Sequence, residues 1–331
     1  MIISKTPLRV SFFGGGTDYP GYYVREGGIV VGAAIDRHVY VSVNRNSQFF
    51  DYKTRISYRK TELVNSVEDI EHPSVKACLQ YLEIDSGLDI NIFSDIPART
   101  GLGSSSSFTV GLLNALLALQ GKRKTPQELA EMACHVEQNI IKENVGSQDQ
   151  FHAAYGGFSV INFDAKSISV APVQISSTKL RLLEDSWFMV YTGLSRYADP
   201  LLEEQVKKTV AKQNDHNLKT MVDMSNEALN IIGDSTDAEF LPEFGNLLHK
   251  GWELKKELSS KVSNDVIDSY YDKAMKAGAI GGKLSGAGAG GFLSFFVPKE
   301  KRSSVKRALS ELEELPVGVA KHGSSIIYSG L

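Results

Sequence analysis

The chain has 331 residues, 42% hydrophobic and 23% charged, a composition suited to a globular protein with one large or two medium cores. A formal net charge of −3, without any long block of like charges, argues against nucleic acid or a membrane as partner. Two distant cysteines, Cys78 and Cys134, exclude a disulfide scaffold and a zinc site and fit a reducing compartment. No apolar leader or 18-residue apolar span is evident, so the cytoplasm is the expected location. In chain order, Thr6–Asp18 (TPLRVSFFGGGTD) reads as a short strand that carries Arg9 and ends in three glycines. Ile29–Asn44 is rich in β-branched residues and alternates at Val39, Val41 and Val43, which predicts strands, and Leu88–Phe93 alternates in the same way. Val110–Leu119 is almost wholly apolar and predicts a buried helix stopped by Gly121. Thr125-Pro126-Gln127-Glu128 is a capping box with proline at the first helical position, and Leu129, Ala133, Val136 and Ile140 continue it as one apolar stripe. Gly156-Gly157 opens a strand, FSVINF, and Trp187–Tyr191 is a further strand. Helical periodicity follows at about 200–215, 218–232 and 241–257. A glycine-rich loop (Gly281–Gly291), a strand (Phe292–Val297), a helix at about 299–312 and a strand near 324–328 complete the chain. Strands and helices without strict βαβ alternation predict an α+β fold. The stretch at 170–185 has little helical pattern and several Ser and Pro residues, which suggests domains of 1–175 and 176–331.

Three glycine-rich stations stand out. Gly14-Gly15-Gly16 permit left-handed backbone and close approach to a ligand, although a tight strand-end turn with Asp18 as helix cap explains them equally well. At Thr100–Val110 (TGLGSSSSFTV), glycines free the backbone just where a helix begins, so unspent N–H groups and the positive helix end make an anion site. One serine suffices for a cap, and four invite a second role, since serine hydroxyls also ligate Mg²⁺ beside phosphates. Lys283–Phe292 (KLSGAGAGGF) can press its backbone against a phosphate or a sugar, or can serve a bulge or a close helix–strand crossing.

Common nucleotide and nucleophile motifs are absent. Gly282-Lys283 lacks the upstream glycine, since Ala277 stands there, and Leu284 replaces the Ser or Thr of a P-loop. The serine run has no glycine where a Gly-x-Ser-x-Gly elbow needs one. GAGAGG at Gly286–Gly291 precedes a strand and does not open a helix, which argues against a dinucleotide fold.

The three stations together are far more specific. Pro97-Ala98-Arg99-Thr100-Gly101-Leu102-Gly103-Ser104-Ser105-Ser106 resembles the central phosphate-loop motif of the GHMP kinases, and Arg9–Asp18 and Lys283–Phe292 resemble their first and third motifs. GGGTDYP, PARTGLGSSSSFTVGLLNAL and YTGLSR narrow the resemblance to the heptose 7-phosphate kinases of that superfamily. The resemblance implies a ribosomal protein S5 domain 2-like N-terminal domain and a ferredoxin-like C-terminal domain, with the site in the cleft between them. It implies ATP as co-substrate, Mg²⁺, and a small sugar phosphate as partner, in a monomer or homodimer. Gly101, Leu102, Gly103, Ser104, Ser105 and Ser106 would wrap the ATP phosphates, and Ser105 with Glu137 would hold the metal. Ser106 and Ser107 stand where related kinases often carry alanine, so small size could be all they supply. Asp149 would face the acceptor hydroxyl with Arg9 beside it. Gly15, Gly16, Thr17, Asp18, Gly286, Ala287 and Gly288 would line the acceptor. Arg37, Arg99, Arg196, Lys5 and Lys283 are candidates for its phosphate, and each could equally be an ordinary surface charge. Galactokinases carry Gly-Glu-His before Thr-Asp where this chain has Gly14-Gly15-Gly16, which argues against galactose. A fucokinase-like or mannose-type sugar-1-kinase and a non-catalytic sensor are the alternatives, and the polar first motif disfavours the small-acid and isoprenoid branch.

Overall fold

The computed structural model describes the whole chain except residues 195–198, 260, 287 and 331 and the side chains of 199–203 and 205. Its first half builds a mixed sheet from β1 (Ile2–Phe13), β2 (Gly28–Arg45), β3 (Thr54–Ser57), β4 (Thr61–Val64), β5 (Leu88–Ser94), β6 (Phe158–Phe163) and β7 (Ile168–Pro172). The helices α1 (Pro20–Glu26), α2 (Pro73–Tyr81), α3 (Ser104–Leu119), α4 (Pro126–Cys134) and α5 (Gln148–Tyr155) lie between these strands in sequence. The second half carries α6 (Ser177–Ser186), β8 (Trp187–Tyr191), α7 (Asp199–Val210), α8 (Asp215–Asp234), α9 (Asp237–Glu257), α10 (Asp265–Ala277), β9 (Gly281–Leu284), β10 (Phe292–Phe296), α11 (Arg302–Ala308), β11 (Glu313–Glu314) and β12 (Ser325–Ser329).

The long run of β-branched residues forms one 18-residue strand, β2, which holds two partners on one edge in turn. Its first half, Gly28–Ala33, pairs with β6, and its second half, Val39–Arg45, pairs with β5. The first half is buried on both faces, while the second alternates, as the valine spacing predicts. The second sheet has the order β11-β8-β10-β9 and is antiparallel throughout. Its strands read 4-1-3-2 along a β-α-β-β-α-β chain, which is the ferredoxin-like arrangement. The two sheets meet at the end of β1, where the Phe12 ring centroid lies 5.1 to 5.8 Å from those of Phe158, Trp187, Phe244 and Phe296. This aromatic node fixes where the chain leaves β1 and enters the three glycines.

Several elements differ from the sequence reading. Helices α2, α6 and α10 are additional to the sequence reading, and α10 buries Ile267, Tyr271 and Ala274 on one face. The stretch at 170–185 therefore contains the end of β7 and most of α6, while the last strand, β12, returns to pair with β1 of the first sheet. The boundary at 175/176 thus does not partition the strands of the first sheet. The helix expected at 299–312 is shorter, because the chain turns after Ala308 to reach β11. Helix α4 begins at its capping box, with Thr125 and Glu128 each bonded to the other's backbone. It then widens into a π-helical turn over His135–Ile141. The wider turn rotates the stripe, so Ile140 is exposed and Glu137 faces inward, fully buried.

Candidate active site

The phosphate-loop candidate takes its shape from two left-handed glycines, Gly101 at φ 80° and Gly103 at φ 75°. Gly103 is the N-cap of α3, and none of the four serines caps the helix, contrary to the capping role weighed above. The first helical bond runs from Ser107 N–H to the Gly103 carbonyl. The N–H groups of Ser104, Ser105 and Ser106 therefore lie outside the helix ladder at the positive end of a 16-residue helix. The serines divide by burial. Ser105 is exposed and Ser104 half-buried, while Ser106 and Ser107 are buried. Ser106 Oγ donates to Glu137 Oε2 (2.8 Å) and Ser107 Oγ to the Pro7 carbonyl (2.7 Å). The expectation that these two supply only small size is corrected, because alanine would leave both acceptors without these donors.

Arg9 and Asp149 meet beneath the loop. Arg9 lies in β1 and Asp149 in the first turn of α5. Arg9 Nε and Nη2 donate to Asp149 Oδ1 and Oδ2 at 2.7 and 2.6 Å, a two-pronged ion pair. Arg9 Nη1 donates to the Gly101 carbonyl at 2.7 Å, and Arg9 N–H to the Leu102 carbonyl at 3.0 Å. One residue thus ties the first motif to the loop and to the aspartate. A side chain at Gly103 would come within 3.2 Å of both Arg9 Cγ and Asp149 Oδ2, so glycine there serves packing as well as φ.

Asp18 is 1% exposed and accepts from Gly16 N–H (2.9 Å) and Gln148 N–H (3.3 Å). It does not cap α1, whose N-cap is Tyr19. Burial raises its carboxyl pKa, the Gly16 N–H opposes that rise, and Asp149 adds to it. Thr17 is buried, and its hydroxyl bonds to the Gly14 and Ile29 backbone, so it fastens the turn to β2 and has no face left for an acceptor. Gly15 and Gly16 lie between Ser11 and Asp18 and keep the turn open. Across from them, a methyl at Gly146 would run onto Asp18 Oδ2. Gly146→Ala is therefore expected to raise the acceptor KM by roughly tenfold or more, with ATP KM little changed, in steady-state assays.

Glu137 is brought in by the π turn. Its Oε2 accepts from Ser106 and from Gln150 Nε2 (2.6 Å), while Oε1 is buried without a partner. The hydroxyl that reaches Glu137 is that of Ser106. Burial pushes the Glu137 carboxyl up to about 7, against the lowering effect of these donors and Thr109. A buried carboxylate with one free oxygen, beside serine hydroxyls, fits a hard divalent cation. Among the described residues there is no cluster of three His, Cys, Asp or Glu that could cage a metal. Mg²⁺ held here would thus draw its other ligands from phosphate oxygens and water, as Mg²⁺ commonly does.

The third glycine station closes the loop from the other side. A side chain at Gly101 would run into the Ser285 carbonyl, one at Gly286 into the Gly101 backbone, and one at Gly291 would strike the Thr100 carbonyl. Gly288 is pressed on the Val262 backbone instead. Ala287 and Arg196 lie outside the described residues. Lys283 is buried, with Nζ donating to the Ser11 (2.7 Å) and Phe12 (3.2 Å) carbonyls. Lys255 Nζ donates to the Gly286 carbonyl. Sequence reasoning missed Lys255. The signal was present: Phe240, Phe244, Leu248, Trp252 and Lys255 recur at three- and four-residue spacing, which puts a lysine on the buried stripe of α9. Arg37 is spent on the Asp36 and Pro316 carbonyls, and Lys5 lies in β1 opposite Tyr40, so neither joins this cluster. Arg99 is exposed at the loop entrance with φ 68°.

Comparison with known proteins gives this geometry a family. The GHMP kinases N terminal domain matches residues 73–157 and the GHMP kinases C terminal domain matches 235–314. A D-glycero-alpha-D-manno-heptose 7-phosphate kinase of Campylobacter jejuni subsp. jejuni serotype O:2 is 30% identical over 324 residues, 93% of either chain. An L-fucokinase/L-fucose-1-P guanylyltransferase of Bacteroides fragilis is 25% identical over 92% of this chain, which spans 35% of that longer protein. A crystal structure of a D-glycero-D-manno-heptose 1-phosphate kinase from Bacteriodes thetaiotaomicron shares the fold, with TM-score 0.79 at 23% identity over 99% of this chain and 100% of that one. No helix among the described residues is long and apolar enough to cross a membrane. The chain belongs to the GHMP kinases and is a kinase.

Proposed function

We propose that this kinase is a sugar kinase that phosphorylates the anomeric C1 hydroxyl of D-glycero-D-manno-heptose 7-phosphate, giving the 1,7-bisphosphate on the way to a nucleotide-activated heptose. GHMP kinases use ATP as co-substrate. The observation that carries the reading is the two-pronged Arg9–Asp149 pair set directly against the loop at Gly103. Phosphoryl transfer asks the protein chiefly for alignment and charge neutralisation. The free N–H groups of Ser104–Ser106 receive phosphate oxygens. Arg9 holds the Asp149 carboxylate in place, and that carboxylate orients the acceptor hydroxyl and takes its proton as the new P–O bond forms and the bond from the γ-phosphorus to the ADP oxygen breaks, releasing ADP. Asp18 fixes a neighbouring sugar hydroxyl. Glu137, with Ser105 and Ser106, would hold Mg²⁺, which when bound neutralises charge on the transferring phosphates.

Heptose 7-phosphate is favoured by the 93%-length relative of that name and by Gly15-Gly16, which stand where the galactose motif has Glu-His. The fucokinase relative supports a second reading, another sugar-1-kinase. The test is ADP release against a panel of heptose 7-phosphate, free heptose, L-fucose and mannose, with phosphorus NMR to locate the new phosphate. Heptose 7-phosphate is expected to exceed free heptose by about 10² in kcat/KM. Equal rates on the two overturn the heptose 7-phosphate reading, and a preference for fucose or mannose establishes the second. No ADP with any sugar would favour a sensor.

A further inference from the structure

A cavity opens at the end of β1, between the Gly14-Gly15 backbone and α8, with the Met221 and Met224 thioethers as one wall and the Lys255 and Lys283 side chains as another. Both lysines are more than nine-tenths buried. Each spends only part of its donor capacity, Lys283 on two carbonyls and Lys255 on one, out of three N–H groups apiece. Among the described residues neither forms an ion pair with a carboxylate. Arg9 and Asp149 neutralise one another, which leaves Asp18 as the acid set against two buried ammonium groups. With both lysines protonated, the cluster is one negative charge short. Burial, with the nearby cations, depresses both lysines, Lys255 to about 8 and Lys283 well below the ordinary lysine range, and an anion in the cavity would restore their charge. A buried hydroxyl without a partner, Ser285 Oγ, belongs to the same third-motif loop.

Resting on the sugar-phosphate reading above, we infer that Lys255 and Lys283 form the subsite for the phosphate group carried by the acceptor. The cavity is lined by the turn that leads to Asp18 and by no residue of the phosphate loop, so its anion arrives with the acceptor and not with the nucleotide. The cavity has room for little more than a water, about 20 Å³, so the unbranched, adaptable Met221 and Met224 side chains must move aside to admit a phosphate beside the glycines of that turn.

The test has an arm that does not depend on which sugar is used. With Mg²⁺ and a non-hydrolysable ATP analogue filling the nucleotide side, inorganic phosphate is titrated while thermal unfolding is followed. The wild-type chain is expected to gain stability with phosphate, Lys255→Met and Lys283→Met to lose that gain, and Lys255→Arg to keep it. A phosphate response unchanged in both Met variants, or absent from the wild type, overturns the subsite. Unfolding midpoints without ligand report whether each variant folds, and removing a buried ammonium is expected to leave them equal or higher. In the second arm, the kcat/KM ratio of phosphorylated to plain acceptor is expected to fall roughly thirtyfold in Lys255→Met, with ATP KM within about threefold. An unchanged ratio, or a rise confined to ATP KM, overturns the assignment. Should the wild type prefer a different sugar phosphate, the heptose reading falls and the subsite stands.

Discussion

Asp149→Asn is expected to lower kcat by about 10²–10⁴ while the ATP dissociation constant stays within about threefold. Both Asp149 oxygens are engaged by Arg9, at 2.7 and 2.6 Å. Asparagine keeps one acceptor but turns an NH₂ toward the second Arg9 donor, so the fork loses one prong and its charge. Arg9 retains its bond to the Gly101 carbonyl and its backbone bond to Leu102, so the loop keeps its shape and ATP binding persists. What disappears is the anionic acceptor proposed for the sugar hydroxyl. Single-turnover phosphoryl transfer, with ATP affinity by calorimetry, separates the two effects. Near-normal turnover in Asp149→Asn would remove Asp149 from the mechanism.

Glu137→Gln is expected to show two opposite effects. Mg²⁺-dependent kcat/KM falls by about 10² or more, since loss of a metal ligand costs several kcal/mol of charge stabilisation. Stability without metal rises at pH 8. The folded-state pKa, about 7, lies above the ordinary value of 4.5, so the folded chain holds this proton more tightly than the unfolded chain. The carboxyl costs nothing below pH 4.5, costs progressively more as pH climbs to 7, and imposes its full penalty above 7, on the order of 3 kcal/mol at most. Glutamine can still accept from Ser106 and Gln150 and carries no charge to desolvate. Urea unfolding at pH 5 and pH 8, without Mg²⁺, is expected to show Glu137→Gln gaining about 1–3 kcal/mol at pH 8 and much less at pH 5. A variant less stable than the wild type at both pH values would show that the buried carboxylate is not strained.

The three glycine stations were legible because each needs backbone that only glycine adopts cheaply, and φ 113°, 80° and 75° at Gly16, Gly101 and Gly286 bear that out. The capping box at Thr125 and the valine alternation in β2 were legible for equally local reasons. What escaped depends on neighbours far along the chain. No local pattern announces that α4 widens after Cys134, yet that turn is what buries Glu137 and exposes Ile140. Thr17 reads as a polar residue beside a ligand turn, and its hydroxyl is consumed by Ile29, twelve residues on. Lys255 looks like one of many helix lysines until Gly286 and the Gly14-Gly15 turn close around it. The return of β12 to β1 joins residues more than 300 apart and cannot be read from either strand alone.

The glycine-to-glycine contact between Gly101 and Gly286 sets an order of events in folding. The walls of the phosphate loop come from segments about 185 residues apart, with nothing between them but backbone. Helix α3, Arg9 and Asp149 can come together from the first half of the chain, but the loop stays open on one side until Gly286 and Gly291 have been brought against it. Contacts of such separation form late and slowly. With ATP held as proposed, a nascent chain that has emerged only through α9 has its acid and its arginine but no closed phosphate cradle, and the nucleotide has little to hold until the second sheet is complete. Nucleotide binding in this enzyme is in effect a report that the last third of the polypeptide has folded, and refolding followed by ATP-analogue fluorescence would lag behind the recovery of helical signal.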